Sequence, residues 1–298
     1  MTEVMTKLRT ILPSDLIIRD DGSVFHLRLQ PGQLADTVIL VGDPERVERV
    51  AGHFERRECH VSSREYTAVT GVFRGRRMTV LSTGIGAGNI DIVMTELDAL
   101  ANVDFATRTE RPDRRRLTLL RLGTCGALQP DIKIGDRIFS RTSAGFDGLL
   151  NFYAGRDSVC DLRMEAALVA YTGWRASLAR PYFVHASERL AALFAETTRA
   201  GITATAPGFY APQGRRVRLQ PADPQLNEKI ESFDYEGYKF TNLEMESAPL
   251  TGLARLMGHD AATICTVIAQ RVAREAEPDY QPFVDKMIVM SLEKLASI

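Results

Sequence analysis

Thr37-Val-Ile-Leu-Val-Gly-Asp-Pro-Glu-Arg46 is an apolar run that ends in a turn, and this order decides the fold class. The β-branched and apolar residues predict a buried strand, and Gly42-Asp-Pro predicts the turn after it. Apolar residues then recur at helical spacing. Similar runs over residues 78–82 and 117–122 also lead into glycines. Strands that alternate with helices and end at glycines predict one α/β domain with a mostly parallel or mixed sheet, whose ligand lies beyond the carboxyl ends of the strands.

Further elements are predicted along the rest of the chain. Apolar residues fall on one face of residues 90–100 and predict an amphipathic helix. Residues 1–24, 107–116 and 145–174 have the weakest pattern and are predicted as loops or peripheral elaborations. Strands are predicted over residues 66–73, 134–140, 181–186, 203–210, 240–246 and 261–268, and a last helix over residues 287–295.

The composition describes an ordinary globular protein without a charge bias. Of 298 residues, 45% are hydrophobic and 25% charged, and the net charge is −1. That balance favours neither nucleic acid nor an anionic membrane as a partner. The basic residues between 108 and 116 are predicted as a solvated loop. No apolar run approaches the roughly 18 residues that a membrane span needs.

The cysteines and histidines point away from disulfides and metal centres. The four cysteines are far apart and form no C-x-x-C pair, which predicts free thiols in a reducing compartment; they are Cys59, Cys125, Cys160 and Cys265. We therefore expect a cytoplasmic protein. The five histidines lack the spacing of a zinc site, so zinc catalysis is not expected.

Ser82-Thr-Gly-Ile-Gly-Ala-Gly-Asn89 follows a predicted strand and opens a predicted helix, as a dinucleotide-binding turn does. Asn89 stands where the last glycine of that fingerprint belongs, however, and no acidic residue stands in a clear strand-end position about 20 residues on. The remaining interpretation is a glycine turn whose backbone N–H groups approach a small anion or a sugar.

Two arginines stand where an anion site would form. Arg46 is one turn into a predicted helix, either as a surface residue of a capped helix or as an anion ligand. Arg121 interrupts a predicted buried strand, where an arginine needs an anion or a carboxylate as a partner. With Gly123 and the Thr124 hydroxyl beside it, its planar guanidinium suits bidentate binding of phosphate.

Two further segments carry polar side chains in suggestive patterns. Glu244 and Glu246 face one way if the segment is extended. Three interpretations are open: a glycosidase-like acid and base pair, a helix N-cap cluster, or a site in which one carboxylate accepts two hydrogen bonds from a sugar diol. Phe209, Gln213 and Arg215 lie in one loop, which is either merely polar or reads the edge of a planar base while Phe209 stacks on its face.

Together these segments resemble the nucleoside phosphorylase superfamily, and within it the uridine phosphorylase branch, from about Val24 to the C-terminus. The resemblance implies a single domain, residues 25–298, with a central mixed, partly barrel-like sheet flanked by helices, and residues 1–24 as an N-terminal extension. It rests on Val24-Phe-His-Leu27, Val41-Gly-Asp-Pro-Glu-Arg46, Ser63-Arg-Glu-Tyr-Thr67, Ser82-Thr-Gly-Ile-Gly86, Arg121-Leu-Gly-Thr-Cys-Gly126, the loop from Phe209 to Arg215, and Glu244-Met-Glu246.

The resemblance implies a role for each matching residue. Phosphate would be held by Gly42, Arg46, Arg121 and Thr124, with Arg64 reaching in from a neighbouring subunit. Ribose would be held by Met245 and Glu246, with His26 of the neighbour on the 5′ hydroxyl. Arg46, Arg64, Arg121, Thr124 and Glu246 would form the catalytic group. The base would contact Gly126, Phe209, Gln213, Arg215 and Ile268.

The implied activity is phosphate-dependent cleavage of uridine to uracil and ribose 1-phosphate, with inorganic phosphate as co-substrate and no cofactor. Shared sites imply a homodimer at least, with a hexamer as the larger alternative. The resemblance also suggests a structural cation at the interface, held by Glu65, the Ile85 carbonyl and Asn89. Purine-specific members carry an Asp after a Thr-Val-Ser run, whereas residues 266–270 here contain no acid. The alternatives are a purine or broad-specificity phosphorylase, a hydrolytic nucleosidase, and a non-enzymatic nucleoside-binding protein.

Overall fold

The run at residues 37–46 forms strand β1 (Thr37–Val41) followed by helix α1 (Pro44–Ala51). The structure is a computed structural model and describes residues 9–273 and 275–298. The Asp43 carboxylate accepts a hydrogen bond from the Arg46 N–H, and Pro44 stands in the first turn, where an N–H is not needed. This cap fixes the start of α1 and hence the position of Arg46.

Helices and strands alternate through the described residues. The other helices are α2 (Ala87–Asn102), α3 (Leu162–Thr172), α4 (Glu188–Phe194), α5 (Leu226–Ser232), α6 (Ser247–Met257) and α7 (Gln281–Ala296). The other strands are β2 (Arg56–Ser63), β3 (Tyr66–Phe73), β4 (Arg76–Ser82), β5 (Val103–Asp104), β6 (Thr109–Glu110), β7 (Thr118–Ala127), β8 (Arg137–Gly145), β9 (Tyr182–His185), β10 (Arg199–Thr205), β11 (Asp234–Tyr235), β12 (Tyr238–Glu244), β13 (Asp260–Gln270) and β14 (Glu275–Ala276).

The main sheet has the strand order β11-β12-β10-β8-β13-β7-β1-β4-β3-β2, with β9 added to β8 and β14 to β13. Strand β1 runs parallel to β4 and β7, whereas β2, β3 and β4 form an antiparallel edge. A further pairing of β12 with β7 closes β12, β10, β8, β13 and β7 into a ring. The predicted mixed, partly barrel-like sheet is therefore confirmed, and the carboxyl end of β1 lies beside Leu122 in the middle of β7.

Apolar side chains cover both faces of the sheet. Val38 and Leu40 of β1 belong to the cluster that contains α2 and α6, while Ile39 and Val41 belong to the cluster that contains α1, α4 and α7. This alternation is typical of a central strand that is buried on both faces. Helices on both faces confirm the predicted α/β class.

Some predicted boundaries are wrong. The strand predicted over residues 203–210 is β10, which ends at Thr205, so Phe209 lies in the loop beyond it. Residues 145–174, predicted as a loop or a peripheral elaboration, contain α3, whose first N–H groups are capped by Asp161. The sequence does not predict β2, because this edge strand exposes mostly polar side chains.

Residues 9–24 lie against the arginine-rich connection at 107–116. The Arg108 side chain donates hydrogen bonds to the carbonyls of Ile11, Leu12 and Leu16. The loop is thus tied to the N-terminal residues rather than only solvated. Within the described residues, no helix is both long and apolar enough to cross a membrane.

Candidate active site

The residues predicted to bind phosphate from within one chain lie where β1 ends beside the middle of β7. Arg46 is buried, and its Nη1 donates a hydrogen bond to the Leu122 carbonyl at 3.3 Å. Arg121 is buried in β7, one residue before Leu122. Gly42 directly follows β1, and Thr124 lies further along β7. The two guanidinium groups therefore approach the same end of the sheet.

Two buried carboxylates sit beside Arg121. Its Nη2 donates to Glu246, and its Nη1 lies 3.3 Å from Glu244 Oε2. Glu244 also accepts hydrogen bonds from the N–H groups of Glu246 and Ser247, which start α6. Glu246 accepts the Gly86 N–H at 2.7 Å. Glu244 therefore acts as the helix cap, and Glu246 remains as the candidate for contact with a sugar.

The charges in this cluster shift the pKa values in ways that geometry explains. Burial disfavours the charged form of Arg121, but Glu246 and Glu244 outweigh burial and raise its pKa. Burial raises the pKa of Glu246; Arg121 opposes this effect and the second carboxylate, Glu244, adds to it. Burial lowers the pKa of Arg46; the Asp43 carboxylate opposes this effect, and the positive charge of Arg121 adds to it. Asp43 is 48% exposed, so Arg46 lacks a buried counter-charge of its own, which favours an anion beside it.

The loop between β10 and α5 brings together Phe209, Gln213 and Arg215, but not in the arrangement that the sequence suggests. The Arg215 guanidinium lies over the Phe209 ring, 3.7 Å from its centroid. Its Nη1 donates at 2.6 Å to the Phe209 carbonyl and to Gln213 Oε1. Burial lowers the pKa of Arg215 to about 10, and the nearby Arg271 charge adds to the effect. One face of the Phe209 ring is therefore covered by Arg215, so only the opposite face is left for the predicted stacking on a base.

Arg271 belongs to this site although the sequence analysis does not single it out. Its Nη2 donates to the Gln213 carbonyl at 2.8 Å. Its Cγ and Cδ lie 3.2 Å from where a Cβ on Gly126 would stand, so a side chain at Gly126 would force Arg271 to shift by a few tenths of an ångström. The available signal was its position three residues after Ile268, at the end of a buried strand.

Gly126, Ile268 and Met245 come from three neighbouring strands of the ring. Gly126 lies on β7, which pairs with both β13 and β12. Ile268 is half-buried at an irregularity in the β13–β7 pairing, and such bulges re-aim side chains. Met245 directly follows β12 and is also half-buried. The structure therefore brings these predicted ribose and base contacts to one end of the ring.

His26 and Arg64 form a separate group. The Arg64 guanidinium lies 5.8 Å from the centroid of the Phe25 ring, and that ring meets His26 edge to face at 4.9 Å. Arg64 is exposed, and its aromatic neighbour Phe25 is not among the residues that bond Arg46 or Arg121. His26 and Arg64 thus have surroundings of their own, as the predicted contribution to a neighbouring subunit requires.

Glu96 of α2 is a second residue that the sequence analysis missed. Its carboxylate accepts the N–H groups of His26 and Leu27 and lies 2.6 Å from His26 Nδ1. With a proton on Nδ1, the imidazole presents Nε2 as an acceptor. The available signal was its helical spacing, three residues after Val93 and four before Leu100, which places it beside the apolar face of α2.

Glu65, Ile85 and Asn89 meet around Gly84. A Cβ on Gly84 would stand 2.3 Å from Asn89 Nδ2 and 3.0 Å from Glu65 Cγ. Asn89 Nδ2 donates to the Ile85 carbonyl, and its Oδ1 accepts the Tyr66 hydroxyl. Among the residues that the structure describes, no group of three or more His, Cys, Asp and Glu side chains is suited to a metal. A cation here would depend on Glu65, backbone oxygen and a second subunit.

Known proteins match nearly the whole chain. The model of the phosphorylase superfamily matches residues 36–298. A uridine phosphorylase of Thermococcus kodakarensis is 31% identical over 264 residues, covering 86% of this chain and 80% of that protein. A DeoD-type purine nucleoside phosphorylase of Caldanaerobacter subterraneus is 29% identical, covering 90% of this chain and 98% of that protein.

A solved structure agrees in fold along the chain. The nucleoside phosphorylase of Trypanosoma brucei, described as showing uridine phosphorylase activity, superposes with a TM-score of 0.87 at 29% identity, over 95% of this chain and 100% of that one. The family model and the T. kodakarensis relative each cover most of the chain. The chain therefore belongs to the phosphorylase superfamily.

Proposed function

We propose that this protein is a uridine phosphorylase, which cleaves uridine with inorganic phosphate to uracil and ribose 1-phosphate. The observation that carries the proposal is the pair of buried guanidinium groups, Arg46 and Arg121, beside the Glu246 carboxylate. Two cations at one point favour an oxyanion, and a carboxylate next to them favours a diol. A nucleoside and phosphate are thus brought into contact.

The bond that breaks joins the ribose carbon to the base nitrogen. By analogy with glycoside hydrolysis, the sugar passes through an oxocarbenium-like state. Phosphate held by Arg46, Arg121 and Thr124 attacks the sugar carbon, and the charge of the arginines offsets that of phosphate. Negative charge develops on the oxygens of the leaving uracil. Gln213 and Arg215 stabilise that charge more in the transition state than in the ground state.

The base loop supports a pyrimidine substrate. Arg215 and the Gln213 amide are joined by a hydrogen bond and together offer donors and an acceptor of the kind that the carbonyl and N–H edge of uracil requires. Residues 266–270, on β13, contain no carboxylate to protonate a purine nitrogen. The same residues argue against a purine substrate.

The working unit in this proposal is a homodimer or a larger assembly of dimers. The proposal is supported by the grouping of exposed Arg64 with Phe25 and His26, away from the bonding partners of Arg46 and Arg121, since a neighbouring subunit could then complete each site. Glu65, the Ile85 carbonyl and Asn89 would hold a cation between subunits. Residues 25–298 form the catalytic domain, with residues 1–24 as an extension, and the four free thiols support a cytoplasmic location.

The test is incubation of the protein with uridine, with and without phosphate, followed by analysis of the sugar product. Ribose 1-phosphate and uracil, formed only with phosphate, are expected. Free ribose formed without phosphate would instead identify a hydrolytic nucleosidase. Uridine-dependent stabilisation without any product would identify a binding protein. Inosine in a parallel reaction tests the purine alternative, for which faster cleavage than of uridine would reject the proposed specificity.

A further inference from the structure

The Arg121 guanidinium occupies space that a side chain at Gly123 would fill. Both residues lie on β7, and a Cβ on Gly123 would stand 2.2 Å from Arg121 Nη1. Cys265 of β13 is the register partner of Gly123, and its Sγ lies 2.9 Å from the same Cβ position. The thiol is completely buried and accepts a hydrogen bond from Arg121 Nη1 at 3.7 Å. Glycine and thiol thus form two sides of the pocket that contains the guanidinium.

The other contacts of the Arg121 guanidinium within the described residues are with carboxylates. Nη2 donates to Glu246, and Nη1, the nitrogen that also bonds Cys265, lies near Glu244. The buried Nε has no hydrogen-bond partner within the described part of the chain. The Cys265 thiol is therefore the one uncharged side-chain acceptor that holds this guanidinium in the part of the chain that the structure describes.

We propose that Cys265 is a positioning residue for Arg121, whose thiol holds the guanidinium over Gly123 at the angle that phosphate needs. The inference rests on the proposed function, because it names a residue that serves the phosphate half of that site. Cys265 does not touch the substrate; it acts only through Arg121. A sulfur atom suits this place, since it is a weak acceptor and fills the width between the strands.

A buried cysteine that served only as core filling would behave differently. Cys265 also contacts an apolar cluster that includes Ile138 and Val267. Its replacement by a smaller residue would then lower the melting temperature and leave phosphate binding unchanged. Phosphate affinity measured separately from stability distinguishes the two roles.

The experiment compares Cys265→Ala and Cys265→Ser with the wild type in the full-length protein. Calorimetric titration with inorganic phosphate gives Kd without any turnover, and steady-state assays give KM for phosphate and for uridine. For Cys265→Ala we expect Kd and KM for phosphate to rise about three- to tenfold, the loss of one weak hydrogen bond to a charged group, with KM for uridine within about twofold. Cys265→Ser retains an acceptor and should recover much of the phosphate affinity.

Cys160→Ala is the matched control, because Cys160 is a half-buried thiol that interacts with another arginine, Arg156, outside the site. It should leave phosphate affinity unchanged. Phosphate Kd within twofold of the wild type in both Cys265 variants would overturn the inference, whatever their melting temperatures. If the phosphate Kd values of the wild type and the variants follow the expected pattern but the wild type does not cleave uridine, the positioning role stands and the proposed function fails.

Discussion

Glu246→Gln should strengthen phosphate binding while it greatly slows uridine cleavage. Glu246 is buried and shares Arg121 with whatever anion binds there. A carboxylate at this place attracts the guanidinium but repels phosphate. Glutamine keeps the shape and an oxygen that accepts the Gly86 N–H, and it removes only the charge. The two substrates therefore respond in opposite directions to one substitution.

The magnitude follows from the charges involved. Two unit charges about 6 Å apart at an effective dielectric constant of about 20 interact by about 3 kcal/mol. Part of this gain is lost because Arg121, without its carboxylate, is held less firmly. A net gain of about 1.4 kcal/mol corresponds to a phosphate Kd about tenfold lower. The rate of uridine cleavage should fall by about a hundredfold or more, because the charge that contacts the ribose is gone.

Calorimetric titration with phosphate measures the first effect, and the uracil-release assay measures the second. Glu165→Gln is the control, because Glu165 is a fully buried carboxylate that pairs with Arg156 outside the site. This variant should lose stability without any change in phosphate Kd. If Glu246→Gln binds phosphate as weakly as the wild type or more weakly, the electrostatic reasoning about this cluster is wrong.

The other predictions test the base, the shared site and the pH response. Arg215→Ala should lower uridine turnover by at least about a hundredfold and leave the phosphate Kd nearly unchanged. The control is Arg216→Ala, which replaces an exposed neighbour and should change neither quantity. Equal losses of turnover and of phosphate affinity in Arg215→Ala would reject the role of Arg215 at the base. Arg64→Ala and Arg121→Ala should each be inactive alone, but mixing and reassembling the two proteins should restore activity, because one site of each hybrid dimer is intact. If verified hybrids recover no activity, Arg64 belongs to the site of its own subunit. Burial raises the pKa of Glu246, so on acidification this carboxylate is protonated at a higher pH than an ordinary glutamate. The acid limb of the kcat/KM profile should therefore lie at a correspondingly higher pH. The same limb should be absent from the residual activity of Glu246→Gln.

The fold was predictable from the sequence wherever burial imposes a regular pattern of apolar residues. Strand β1 is buried on both faces and therefore has an unbroken apolar run, and α2 shows one apolar face. Strand β2 carries polar side chains at the edge of the sheet, so its sequence lacks that signal. The ring closure between β12 and β7 depends on contacts between residues more than a hundred positions apart. Only the resemblance to a known family suggested it.

The site was predictable as a set of residues but not as a set of contacts. Arg121 stands out because a charge within an apolar strand demands a partner, and the sequence alone left that partner open between an anion and a carboxylate. The structure shows a carboxylate, Glu246, which is itself a residue predicted for ribose. The residues that the sequence analysis missed, Arg271, Glu96 and Cys265, act by holding other site residues rather than by matching a motif. These supporting contacts join residues from distant parts of the chain. They can therefore be identified only when the pairing of the strands is known.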